Sequence, residues 1–213
     1  MDKCIIITAY IEGDIADMID IEDGDYVICA DGGYDIAARA GIHPSIIIGD
    51  MDSANVHDTE SELPEGIPRI TVPSHKDTTD TDLCLQHALE KGLMQVLIIG
   101  GMGGRFDHSL ANIQNMIGYT KKGMSLMMID SRNIVMLLVN DSTVIPAREN
   151  YKISLISHSE ECRGVSISGV EYPLSDYTLR SDFPLGVSNE FTDDAAFVKV
   201  EKGELLIILS SDD

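Results

Sequence analysis

Residues 95–121 read QVLIIGGMGGRFDHSLANIQNMIGYTK. Gln95–Ile99 is an almost wholly apolar run, the composition of a strand buried on both faces. Gly100, Gly101, Gly103 and Gly104 follow at once, and Asp107–Lys121 then reads as a helix. A buried strand running through a glycine turn into a helix is the opening of a unit that returns to a parallel neighbour.

Working outward, the same alternation repeats on both sides. Upstream, Cys4–Thr8, Tyr26–Ala30, Ser45–Ile48 and Arg69–Val72 read as strands. Asp14–Ile19 reads as a short helix, and Tyr34–Ala40 as a helix stopped by Gly41 and Pro44. Thr79–Lys91 reads as a helix with apolar positions at Leu83, Leu85, Ala88 and Leu89 and a stop at Gly92. Downstream, Ser125–Ile129 is a further strand. The pattern predicts an α/β fold: a mostly parallel sheet with helices on both faces. In such sheets ligands gather at the carboxyl ends of strands. Asp31, Asp50 and the Gly100–Gly104 turn each directly follow a strand.

Beyond residue 130 the pattern changes. Asn133–Val139, Ser142–Ile145, Tyr151–Ser157, Val165–Val170, Tyr177–Leu179, Ala196–Val200 and Leu205–Leu209 read as strands with no helix between them. Lys202-Gly203-Glu204 reads as a hairpin turn joining the last two. The expectation is a first domain over 1–130 and a small all-β sandwich over 131–213.

Composition narrows the function. The chain has 213 residues, 36 acidic against 15 basic, and a formal charge of −21. That balance excludes bulk binding to nucleic acid or to an anionic membrane surface, both of which need Lys and Arg. Most of the carboxylates serve solubility; a metal role depends on where they cluster. The four cysteines are scattered without metal-ligand spacing, so they read as reduced core thiols of a cytoplasmic protein. No apolar run approaches the roughly 18 residues that span a bilayer, and the N-terminus lacks the pattern of a signal peptide.

Three constellations carry chemistry. In Gly49-Asp50-Met51-Asp52-Ser53, alternate residues of extended backbone share one side, so Asp50 and Asp52 can converge on one cation. Paired hard oxygens suit Mg²⁺; the plain alternative is a turn. Lys76-Asp77-Thr78-Thr79-Asp80-Thr81-Asp82 places three carboxylates at a helix start. Capping and dipole compensation explain one or two of them, but not Lys76 beside them or their density. Gly100–Gly104 with Arg105, Asp107 and His108 offers close backbone approach, helix-start N–H groups and a guanidinium fork for phosphate. It follows neither the Walker nor the dinucleotide pattern. His108 reads as capping or packing at the helix start, with nucleotide contact as the alternative. Two unit charges 4 Å apart interact by ~4 kcal/mol at an effective dielectric of 20. Aspartates facing a polyphosphate would therefore repel it unless a divalent cation lay between them, so the combination implies metal–nucleotide chemistry.

In order and spacing, Ala30-Asp31-Gly32-Gly33, Gly49-Asp50-Met51-Asp52-Ser53, Lys76-Asp77 with Asp80, and Gly100-Gly101 through Gly103-Gly104-Arg105 to Asp107-His108 resemble the bacterial thiamine pyrophosphokinases. Gly186-Val187-Ser188-Asn189-Glu190-Phe191 and the Val198–Leu206 run resemble that family's second domain. The resemblance implies an α/β nucleotide-binding catalytic domain and a β-sandwich domain that binds thiamine and dimerises. It implies a homodimer with thiamine in a cleft between subunits, and attack of the thiamine hydroxyl on the β-phosphorus of ATP to release AMP. Carried over, Asp50, Asp52 and Asp80 would hold Mg²⁺, with Asp31 and Asp77 close by. Gly32, Gly33, Gly101, Gly103, Gly104, Lys76, Arg105, Asp107 and His108 would meet the nucleotide. Ser188 and Asn189 of a partner subunit would hydrogen-bond the aminopyrimidine. Asp77 or Asp80 would accept the hydroxyl proton.

Two features depart from the family pattern. The first loop, Thr8–Asp14, lacks a glycine-rich character, and no Trp is present to form an aromatic platform, leaving Phe191 or Tyr177 for that place. Two rival readings stand beside this one: a pterin-alcohol diphosphokinase on the same scaffold, against which Ser188-Asn189 speaks, and a non-catalytic nucleotide or thiamine sensor.

Overall fold

Short isoleucine-rich runs form the inner strands of the first unit: Cys4–Ile7 and Ile46–Gly49 are buried along their whole length, which favours β-branched residues on a pleated surface. The computed structural model describes residues 3–49, 66–72 and 78–212. The chain divides into two compact units, Met1–Ser131 and Arg132–Asp213.

In the first unit the elements are β1 (Cys4–Ile7), α1 (Ile15–Met18), β2 (Tyr26–Ala30), α2 (Gly33–Arg39), β3 (Ile46–Gly49), β4 (Arg69–Thr71), α3 (Asp80–Glu90), β5 (Gln95–Ile99), α4 (Phe106–Thr120) and β6 (Ser125–Ile129). The strands lie in the order β6-β5-β1-β2-β3-β4, every neighbouring pair parallel. The chain winds from β1 to β4 in one direction, then crosses back through α3 to place β5 and β6 on the other side of β1. The order therefore reverses between β1 and β5. Ile5, Ile6, Ile7, Ile28, Ile47, Ile98 and Ile99 are fully buried, with Leu85 from α3 and Met116 from α4. α2 packs on β1 and β2, and α3 on β1, β2 and β3.

Local chemistry sets the helix ends. The Asp14 carboxylate caps α1 by accepting from Ala16 N at 3.1 Å. Thr79 caps α3, its hydroxyl accepting from Asp82 N at 3.2 Å. Gly41 and Gly92 take positive φ just after α2 and α3.

The second unit contains β7 (Asn133–Val139), β8 (Ser142–Pro146), β9 (Tyr151–Ser157), β10 (Glu161–Ser168), β11 (Leu174–Arg180), β12 (Gly186–Asn189), β13 (Ala195–Lys199) and β14 (Glu204–Ser211). Strands β12-β9-β14-β7 are antiparallel neighbours, and β11-β10-β13-β8 form a second antiparallel sheet. Lys202-Gly203-Glu204 is not a hairpin turn. β13 pairs with β8 and β10, whereas β14 pairs with β7 and β9, so the turn carries the chain from one sheet to the other. Gly203 has φ +127°, and a Cβ there would lie 3.0 Å from Cys162 Cα. A strand not expected from the sequence is β12, and Val170 stands outside β10 in an isolated bridge to Phe191.

Candidate active site

The loops that leave β1, β2 and β5 at their carboxyl ends surround a cavity of about 350 Å³ at the point where strand order reverses. This is where an open α/β sheet offers a ligand crevice. Thr8, Ala9 and Tyr10 come from the first loop, Ala30 and Asp31 from the second, and Gly101, Gly103 and Arg105 from the third. The first turn of α3 adds Thr79, Asp80 and Thr81, and α4 adds His108 and Asn112.

Backbone contacts hold these loops together. Gly101 N donates to Tyr10 O at 3.1 Å, and the buried Thr8 hydroxyl lies 3.0 Å from both Tyr10 O and Ile99 O. Asn112 Nδ2 donates to Gly101 O at 2.8 Å. Gly100 has φ +79°, and a Cβ on it would come within 2.2 Å of Tyr10 O. Only glycine permits this approach.

Asp31 is the most unusual group here. It is 6 % exposed, takes φ +45°, and its Oδ1 is buried without a hydrogen-bond partner among the described residues. Its amide donates to Ile48 O at 2.8 Å, and a Cβ on Gly49 would lie 2.8 Å from its own Cβ. A buried carboxylate oxygen without a donor is costly unless a cation or ligand meets it. Asp80 opens α3 and faces the same cavity. The neighbouring Asp82 accepts from the Tyr119 hydroxyl at 2.9 Å. Burial, and then that carboxylate, push the Tyr119 hydroxyl well above the usual tyrosine range.

Arg105 forks onto a protein carboxylate, not an open phosphate seat: Nη2 lies 2.6 Å from Asp107 Oδ2 and Nε 3.2 Å from Oδ1. These bonds hold the Asp107 carboxyl below the ordinary range. Both side chains are largely exposed. Arg105 occupies the N-cap of α4, so His108 neither caps nor packs; it is exposed and lines the cavity.

The remaining sequence candidates fall as follows. Gly32, Gly33, Gly104 and Asp107 do not line this cavity. Gly33 instead permits close packing, since a Cβ there would lie 2.2 Å from Ile7 O. Asp50, Asp52, Lys76 and Asp77 lie outside the described residues. Among the described residues no three His, Cys, Asp or Glu side chains gather around one metal position.

In the second unit a mostly apolar cavity of about 300 Å³ is lined by Ile153, Leu155, Tyr172, Leu185 and Asn189, among others. Asn189 Oδ1 accepts from Tyr172 N and Glu190 N, each at 3.0 Å, and Nδ2 donates to Tyr172 O at 2.8 Å. Ser188 is exposed at φ +60° and lies outside the lining, as do Phe191 and Tyr177. The aromatic ring at this cavity is Tyr172, 70 % exposed. Sequence reasoning also missed Tyr10, Thr81 and Asn112 at the first cavity. Asn112 was accessible to it, because it stands one helical turn beyond His108.

Together these features define a class: a two-unit α/β protein with an acidic, glycine-looped crevice at the switch point of a parallel sheet. Comparison narrows the class. The family model described as thiamin pyrophosphokinase, catalytic domain, matches residues 20–128, and the one described as thiamin pyrophosphokinase, vitamin B1 binding domain, matches 142–205. The chain is 34 % identical over 178 residues to the thiamine pyrophosphokinase of Bacillus subtilis, covering 81 % of each protein. It is 27 % identical over 166 residues to thiamin pyrophosphokinase 1 of Caenorhabditis elegans, covering 73 % of this chain and 66 % of that one. The crystal structure of the Bacillus subtilis thiamine pyrophosphokinase superposes with a TM-score of 0.87 at 30 % identity, over 99 % of this chain and 100 % of that one. This chain belongs to the thiamine pyrophosphokinase family.

Proposed function

We propose that this chain is an ATP:thiamine diphosphotransferase that binds ATP in the switch-point cavity of its first unit. The observation that carries the reading is the meeting of Asp31, with its unpartnered buried oxygen, Asp80 and the Gly101–Gly103 turn around one cavity. Family membership across both units supports thiamine as acceptor and does not favour the pterin-alcohol or sensor readings.

A Mg²⁺ ion fits these residues, because hard carboxylate oxygens suit it and Asp31 Oδ1 has no hydrogen-bond partner among the described residues. Asp31 and Asp80 would hold it, with Asp50 and Asp52 as further ligands. When bound it neutralises polyphosphate charge.

The chain's own groups supply the rest. The thiamine hydroxyl oxygen attacks the β-phosphorus, the bond from that phosphorus to the α–β bridging oxygen breaks, and AMP leaves with the bridging oxygen. The hydroxyl proton passes to Asp80 or Asp77. Backbone N–H groups of the Gly101–Gly104 turn and the N-terminal turns of α3 and α4 orient phosphate oxygens. Arg105 exchanges Asp107 for phosphate; their surface pairing is weak enough to release it. Lys76 adds positive charge.

Thiamine sits in a cleft completed by a partner subunit, where the Ser188 hydroxyl and the second amide hydrogen of Asn189 meet the aminopyrimidine. Phe106 and Leu110, exposed one turn apart on α4, support a covering partner. The same reading takes the helices to cover both faces of the parallel sheet and the two antiparallel sheets to stack as a sandwich. It places the protein in the cytoplasm, which four buried cysteines outside any disulfide support.

The test mixes pure protein with thiamine, ATP and Mg²⁺. Thiamine diphosphate and AMP are the expected products. ADP in place of AMP would mean simple phosphorylation, and tight thiamine binding without turnover would mean a sensor. Asp80→Asn should lower the rate at least tenfold, about 1.4 kcal/mol in barrier, with little change in melting temperature. A variant keeping more than that tenth removes Asp80 from the reacting centre.

A further inference from the structure

The first loop, Thr8–Asp14, has one glycine, Gly13, where the turn after β5 has four, and it brings Tyr10 to the cavity. Its backbone is fixed on one side by the β5 turn, through Gly101 N to Tyr10 O at 3.1 Å. The ring then lies across the glycine turn. A Cβ on Gly103 would sit 3.0 Å from Tyr10 Cε1, and one on Gly104 would sit 3.2 Å from Cε2 and 3.4 Å from Cδ2 and Cζ. Three ring atoms at nearly equal distance mean that this glycine approaches the face of the ring, not its rim. Any larger residue at either position would lift the ring away. Yet Tyr10 remains 48 % exposed and lines the cavity, so the rest of its ring surface is left for a ligand.

An aromatic ring held against backbone at a ligand cavity is a stacking platform for a planar group. The planar groups that enter this reaction are the nucleobase of ATP and the two rings of thiamine. The turn beneath the ring is the one suited to phosphates, and it belongs to the first unit. The apolar cavity of the second unit has its own ring in Tyr172. We propose that Tyr10 stacks on the nucleobase of the bound nucleotide and so sets nucleotide affinity and base preference. The inference rests on the cavity being the ATP site.

The experiment compares wild type with Tyr10→Phe, Tyr10→Leu and Tyr10→Ala. It measures kcat, the KM for ATP and for thiamine, AMP affinity by calorimetry, and inhibition by inorganic tripolyphosphate, which has no base. Base–aromatic stacking removed by alanine substitution weakens binding by roughly tenfold. Alanine and leucine should therefore raise the KM for ATP and the Kd for AMP ~10-fold, with kcat, the KM for thiamine and tripolyphosphate inhibition unchanged within about twofold. Phenylalanine should behave as wild type. Leucine keeps an apolar cover on the glycines but has no ring, so wild-type AMP affinity in Tyr10→Leu refutes stacking even if Tyr10→Ala folds poorly. A rise in the KM for thiamine alone assigns the ring to the acceptor and overturns the proposal. Equal weakening of tripolyphosphate means a disturbed turn and overturns it too. The AMP arm separates this inference from the reaction: a wild type that makes no thiamine diphosphate but loses AMP affinity on Tyr10→Leu keeps the platform and rejects the activity.

Discussion

Asp31 concentrates the physics of the site. Three features coincide at one residue: a left-handed backbone, near-complete burial and a carboxylate oxygen without a donor. Asp tolerates φ > 0 better than most residues, but the electrostatic cost remains. Such a group destabilises the empty protein and is relieved by a cation. Asp31→Asn should therefore melt at or above wild type in metal-free buffer and lose most of any stabilisation conferred by Mg²⁺. A variant that melts well below wild type without metal would show that the carboxylate serves folding instead. The Ala30-Asp31-Gly32-Gly33 motif was visible in the sequence, but the missing partner was not, because it depends on which backbone groups from β3 and Gly49 crowd around it. Arg105 teaches the same lesson in reverse: its fork was legible, and its seat on Asp107 two residues away was not.

At the scale of elements, α4 holds the first turn of α3 in place. Asn115 Nδ2 donates to Thr79 Oγ1 at 3.3 Å, and Tyr119 Oη lies 2.9 Å from Asp82 Oδ1 and 3.2 Å from Asp82 O. Asn115 and Tyr119 are one helical turn apart, so one face of α4 grips the turn that presents Asp80. Tyr119→Phe should cost about 1.5–3 kcal/mol in urea denaturation, the range for a hydrogen bond to a charged acceptor. Its pH dependence has a definite sign. The folded-state pKa of Tyr119 is raised, so its contribution is complete below the unfolded tyrosine pKa near 10 and declines as pH rises past it. Wild type should lose stability faster than Tyr119→Phe between about pH 9 and 11; parallel curves would discard the linkage. Strands and helices of the first unit were readable because the inner strands are mostly apolar runs, α1 and α3 open on capping side chains, and glycines close α2 and α3. β12 was not, because Ser188 takes φ +60° and the pairing register shifts between Gly186 and Asn189, which breaks the two-residue alternation.

At the scale of the whole molecule, acidity and assembly are the testable properties. A chain of −21 formal charge that binds a polyphosphate needs cations to do so. A shared thiamine cleft also needs a second copy: light scattering should report a homodimer at the concentrations used for turnover, and an active monomer would undo the shared cleft. The sequence by itself determined the parallel α/β character of the first unit, the all-strand character of the second, and the glycine and aspartate motifs at strand ends. These rest on local composition, capping and short-range periodicity, which each segment carries alone. Tertiary structure decided the rest. Strand order, with its reversal between β1 and β5, selects which loops share a cavity. Pairing partners put β13 and β14 in different sheets despite a turn that looks like a hairpin. The seat of Tyr10 on Gly103 and Gly104 depends on two loops separated by most of the first unit. Each of these is a contact between distant segments, and its energy comes from burial and fit that no single segment encodes.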